Sequence, residues 1–238
     1  MRRRDALDTI QSVTKACVPA VDFHLHTTWT DGAFSSHRML ERAEACGLET
    51  VLFSEHARKT SGDWFTRFAD EIRKLPVKKC AALVGVETKV EDLEGRLDCT
   101  EGMLKQCDLV MASVHRFPGE KGVVRGFGDV NPTEAQELEF RLACAILKNP
   151  SVDILAHPFG MCYRRFNRPP SDELMRDLIT QVAKTTVAFE INCHYHPDPW
   201  RLIDWCRELG ARISLGSNAH TLEEVGRIGR VLRGAEKT

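Results

Sequence analysis

The chain has 238 residues, of which 42% are hydrophobic, and its 33 Lys and Arg offset 34 Asp and Glu to a net charge of −1. That is the composition of an ordinary globular chain of one domain. With so little net field, a long nucleic acid or an anionic membrane surface is disfavoured as a partner. No apolar run approaches a membrane span, and the basic start MRRRDALDTIQ lacks the apolar stretch of a secretory signal. Nine cysteines without one CxxC pair argue for free thiols, a reducing compartment and a cytoplasmic location.

Residues 1–19 read as an N-terminal extension and 20–238 as a single domain. In chain order, seven short apolar runs follow: AVDFHLH (20–26), TVLFSEH (50–56), AALVGVE (81–87), DLVMASVH (108–115), VDILAH (152–157), TVAFEIN (186–192) and RISLGSNAH (212–220). Rich in Val, Ile, Leu and Phe, they are expected to be strands buried on both faces. Helical spacing separates most of them. Phe65, Phe68, Ile72 and Leu75 form one stripe, Leu138, Leu142 and Ala145 a second, Leu202, Cys206 and Leu209 a third. Gly47 and Gly210 stand where helix C-caps belong. Thr133 with Gln136, and Thr221 with Glu224, have capping-box spacing. Strand and helix in alternation predict a parallel sheet, open or closed.

Every run ends in a side chain able to bind a metal or form a hydrogen bond: His24 and His26, His56, Glu87, His115, His157, Asn192, and Asn218 with His220. His24 and His26, two residues apart, share one face of an extended strand. In an α/β barrel the strand C-termini line the active site. Any one of these histidines could be a satisfied core residue. Five strands ending in histidine point to a metal site instead.

HLHTTWTDG (24–32), EH (55–56), GVE (85–87), SVH (113–115), AHP (156–158) and GSNAH (216–220) together resemble the PHP (polymerase and histidinol phosphatase) superfamily, over roughly residues 20–235. The resemblance implies a distorted, TIM-like (β/α)7 barrel with two to three divalent metals at its C-terminal rim, and hydrolysis of a small phosphomonoester by a metal-bridging hydroxide. It places His24 and His26 on a first metal, with Glu87 bridging to a second that His115 and His157 complete. Asp31, His56 and His220 hold a third. Asn218 stands on the first metal where the family's usual motif has an aspartate, so that ion is expected to be held less tightly. Histidine and carboxylate without thiolate suit Zn²⁺, Mn²⁺ or Fe²⁺.

Arg58, Arg116, Arg164 and Arg165 all follow strand ends. Guanidinium groups match phosphate oxygens bidentately, and Arg58, Arg116 and Arg164 are the expected substrate contacts. His194 and His196 either reach the substrate or sit in a surface loop. His37 and the run EDLEGRLD (91–98) are expected to be solvated. Two alternatives stay open: a phosphodiesterase or nuclease of the same superfamily, and a catalytically weakened binding or regulatory protein, suggested by Asn218. Substrate choice is expected to reside in loops such as 116–131 and 158–170.

Overall fold

Seven parallel strands form one sheet in the computed structural model, which describes residues 5–76, 78–119 and 124–238. They are β1 (Val21–Leu25), β2 (Thr50–His56), β3 (Ala81–Lys89), β4 (Leu109–Ser113), then, after a short antiparallel hairpin of β5 (Phe117–Pro118) and β6 (Val124–Arg125), β7 (Ile154–Leu155), β8 (Ala188–Asn192) and β9 (Ile213–Gly216). Each sheet strand pairs with the one before it in this series. The chain just past β9 returns to β1: Leu25 bridges Ala219 in parallel, His26 N donates to Ala219 O at 2.8 Å, and Ala219 N donates to His24 O at 2.9 Å. The sheet thus comes to near closure as a distorted seven-stranded α/β barrel.

The strands sit where the apolar runs place them, with two informative departures. β3 continues two residues past Glu87, so that Thr88 and Lys89 pair with Ala112 and Ser113 of β4. β7 is only two residues long, because the chain turns sharply after it: His157 and Phe159 adopt left-handed φ angles of 26° and 62°.

The helices form where the spacing predicts, and their ends have chemical causes. Gly62–Lys74 buries Phe65, Phe68, Ala69 and Ile72. Each large apolar side chain so buried contributes about 1.5–3 kcal/mol. The helix stops at Leu75, whose ψ of 139° is the extended conformation that the following Pro76 imposes. In Pro199–Leu209, Asp198 caps the first turn by accepting from Arg201 N, and Gly210 ends the last at φ 77°.

Two expected caps are corrected. Asn131, not Thr133, caps Pro132–Ile146; its side chain accepts from Thr133 N and Glu134 N, and proline occupies the first helical position. Glu224 accepts from His220 N at 2.8 Å and Thr221 N at 3.0 Å, but it folds a turn there, and the helix Arg227–Leu232 begins later.

Within residues 1–19, Leu7, Ile10 and Val13 are buried in the common core. Gln11 exchanges two hydrogen bonds with the backbone of Ile213 at the start of β9, each 3.0 Å. His37 is exposed beside Glu41 on the helix Ser36–Ala45. In 91–98, the Asp92 carboxylate accepts from Glu94 N and Arg96 N and folds a turn. Among the described residues, no helix is long and apolar enough to cross a membrane.

Candidate metal centre

The C-terminal ends of the strands converge on one carboxylate. Glu87, fully buried on β3, presents Oε1 to His157 Nε2 at 2.7 Å and to His115 Nε2 at 3.1 Å. Its Oε2 faces His56 Nδ1 at 3.1 Å, His24 Nε2 at 3.3 Å and His26 Nε2 at 3.5 Å. Asp31, from the loop after β1, lies 3.4 Å from both His56 Nε2 and His220 Nε2 and 3.9 Å from His26 Nδ1. Among the described residues, three groups present donor atoms close enough to share an ion: His26, Asp31, His56 and His220; His24, His26 and Glu87; and His56, Glu87 and His115. The grouping overlaps more than the resemblance implies. His26 stands with Asp31 as well as with His24, and His56 reaches both Asp31 and Glu87.

Asn218 lines a cavity together with Asp31, His56, Glu87, His115 and His220, at a left-handed φ of 53° that asparagine and aspartate tolerate better than most residues. Its carbonyl accepts from His220 Nδ1 at 2.9 Å, which leaves His220 Nε2 free to face Asp31.

The electrostatics follow from burial and proximity. Burial opposes the charge on Glu87, but His115, His56, His24 and His157 outweigh it and hold the carboxyl well below its ordinary range. Burial likewise opposes protonation of His24, yet Glu190 and Glu87 raise it to about 10. His56 also reaches about 10, with Glu87 and Asp31 overcoming burial. Burial and the neighbouring His56 and His24 keep His26 neutral.

These residues fit a cluster of divalent cations. His26 Nδ1 is a buried ring nitrogen without a hydrogen-bond partner, an arrangement that costs free energy unless something electrophilic occupies the space. Around it, the donor set is imidazole and carboxylate of the type that binds Zn²⁺, Mn²⁺ or Fe²⁺. His24 and His220 have their Nδ1 atoms engaged, so each offers Nε2.

Sequence reasoning missed Glu190. Fully buried on β8, it accepts from His24 Nδ1 at 2.7 Å, Asn192 Nδ2 at 2.9 Å and His157 N at 2.5 Å, and so orients two of the histidines. Gly216 on the neighbouring strand makes room for this contact, since a Cβ there would collide with Glu190 Oε1 and crowd His24 Cβ. A lone charge inside the run TVAFEIN was the available signal. Asn192, the expected functional end of that run, serves Glu190. His196 is neither substrate-facing nor on the surface. It is buried, with Nδ1 accepting from Asn192 N at 3.1 Å and Nε2 donating to Pro158 O at 3.0 Å. His194 lines the metal-side cavity.

That cavity, about 360 Å³, adjoins a second of about 400 Å³ through the shared walls of His115, His157 and Tyr195. Tyr195 packs on the His157 ring, with centroids 4.5 Å apart. Arg164 lines the second cavity, donates to the His194 carbonyl and lies over Tyr195. Arg58 and Arg116 line neither. Both lie close enough to the Lys89 ammonium that, together with its burial, they lower its pKa.

Comparison with known proteins agrees with this geometry. The family model described as the PHP domain matches residues 22–194. A probable phosphatase of Caldanaerobacter subterraneus subsp. tengcongensis is 28% identical over 227 residues, covering 90% of this chain and 81% of that protein. A probable phosphatase of Acetivibrio thermocellus is 30% identical over 224 residues, covering 90% and 84%. Among solved structures, a candidate histidinol phosphatase from Listeria monocytogenes superposes with a TM-score of 0.70 at 16% identity, over 87% of this chain and 97% of that one, a likeness of fold. The barrel, the rim of histidines about Glu87 and the match over most of its length show that the chain belongs to the PHP domain family.

Proposed function

We propose that the chain is a metal-dependent phosphatase that hydrolyses a small phosphomonoester, with two to three Zn²⁺, Mn²⁺ or Fe²⁺ ions held at the rim. One observation carries the reading: a single buried carboxylate, Glu87, stands within 3.5 Å of nitrogens from five histidines that arrive from four strand ends. The probable phosphatases among its relatives support the reaction class. When bound, such ions lower the pKa of water and neutralise phosphoryl oxygens.

The chain's own residues supply the rest. Glu87, His24, His26, Asp31, His56, His115, His157 and His220 would hold the ions, with Asn218 beside His220. Glu190 fixes the ring of His24 and the backbone of His157. Arg164 is the substrate contact best placed of the three expected arginines, since it lines the cavity next to His115 and His157. Nine free cysteines, most of them buried, suit a cytoplasmic enzyme.

Metal-stripped protein reconstituted with each ion in turn and assayed on p-nitrophenyl phosphate and bis(p-nitrophenyl) phosphate tests the reading. Monoester hydrolysis should depend on added metal, stop with chelator and exceed diester hydrolysis. Metal-independent hydrolysis, or none with any ion, contradicts it. Faster diester cleavage makes the protein a phosphodiesterase.

A further inference from the structure

The second cavity is built differently from the metal-side one. Its walls carry three cationic side chains, Lys89, Arg164 and Arg165, and its described lining contains no carboxylate. Lys89 follows Glu87 by two residues on β3, so both point to one face of the strand. The described contacts of the two arginines leave their charge uncompensated. Arg164 donates to a carbonyl and overlies Tyr195, and Arg165 lies over the Phe127 ring at 4.3 Å. A phosphoryl group seated near Glu87, His115 and His157 would send its leaving group across the shared wall into this space. At about 400 Å³, the space falls within the range of small-ligand sites.

Resting on the phosphatase reading above, we infer that the substrate is a phosphomonoester whose leaving group bears a second anionic group, a phosphate or a carboxylate, received by Lys89, Arg164 and Arg165. Arginine forks and a lysine ammonium match either anion. The same walls repel an ammonium group, so a leaving group such as that of histidinol phosphate, with its amine, is selected against. In the reaction, water adds its oxygen to phosphorus and the ester P–O bond breaks. One water proton ends on the leaving oxygen, and the products are inorganic phosphate and an alcohol that keeps its anionic group.

Matched substrates on the metal-reconstituted full chain test this. The phosphate arm compares fructose 1,6-bisphosphate with fructose 1-phosphate and fructose 6-phosphate. The carboxylate arm compares 3-phosphoglycerate with glycerol 3-phosphate. Histidinol phosphate and p-nitrophenyl phosphate are run beside them. The expected result is a kcat/KM at least tenfold higher for the doubly anionic member of one arm, and that arm identifies the anion. Lys89→Gln and Arg165→Gln should each shrink this selectivity ratio at least fivefold, a readout that is internally corrected for any general loss of activity. No preference in either arm, a preference for histidinol phosphate, or an undiminished ratio in both variants overturns the inference. Hydrolysis of p-nitrophenyl phosphate without such a preference sinks this inference alone. Hydrolysis of no monoester at all sinks the phosphatase reading, and this inference with it.

Discussion

Replacing Glu190 by glutamine exchanges one acceptor for a donor at a place where all three neighbours donate. Oε1 accepts from His24 Nδ1 and Asn192 Nδ2, and Oε2 accepts from His157 N. If the glutamine oxygen stays toward His24, its NH₂ meets the His157 N–H, and a buried donor loses its partner at a cost of about 1–3 kcal/mol. If the amide turns over, its NH₂ faces His24 Nδ1, the imidazole proton moves to Nε2, and the atom that faces Glu87 and His26 can no longer bind a metal. Either outcome damages the centre. Loss of such a supporting hydrogen bond typically costs about 10–100-fold in metal affinity, or about 1.4–2.7 kcal/mol. The variant should therefore fold, bind Mn²⁺ or Zn²⁺ about 10–100-fold more weakly in chelator competition, and melt about 2–12 °C lower without metal, at about 2–4 °C per kcal/mol for a chain of this size. A folded variant with metal affinity within about threefold of the original protein would refute the positioning role given to Glu190.

Glu87→Ala should abolish metal-dependent hydrolysis and reduce bound metal in elemental analysis, because Glu87 faces five imidazoles; retained activity with full metal content contradicts the assignment. Asn218→Asp should tighten metal binding and raise turnover about tenfold or more, a lower bound set beneath the roughly 10²–10⁴ that a well-placed general acid–base group contributes. The left-handed backbone at 218 tolerates aspartate, so the metal-free melting temperature should barely change, and equal metal binding without faster turnover would speak against that role. Glu139 offers a test by pH: burial raises its carboxyl to about 7 from 4.5, against the hydrogen bonds it accepts from Met161 N and Cys162 N. The native protein thus holds a proton that the unfolded chain has lost between those values, and this contribution, full below pH 4.5, disappears as pH rises through about 7. In denaturant unfolding, the stability gap between the original protein and Glu139→Gln should favour the original by about 2 kcal/mol more at pH 5 than at pH 7.5, and a gap independent of pH would contradict it.

The sequence reveals the strand ends because a buried parallel strand is a local pattern, and polar residues closing seven such runs stand out. His24, His56, His115 and His157 all arrive at one carboxylate, Glu87, as that pattern suggests. How they share ions was not legible, because it depends on ring directions set across the barrel. His26 meets His220 only because the chain after β9 pairs with the end of β1, a contact between residues nearly two hundred positions apart. Glu190 escaped notice for the same reason. Its partner His24 lies two strands away around the barrel, and a single glutamate among apolar neighbours carries no local mark of that contact. Lys89 was hidden because β3 outruns its apolar segment. The cap at Asn131 shows a closer competition, in which a proline at the first helical position decided between two nearby polar residues.

Elemental analysis of the reconstituted full chain decides whether this rim is a metal centre. Three overlapping donor groups, two of which include Glu87, predict two to three tightly held divalent ions per chain, with the number falling in Glu87→Ala. Fewer than one ion per chain, under conditions where the protein is folded and no chelator is present, would mean that the rim is not a metal centre.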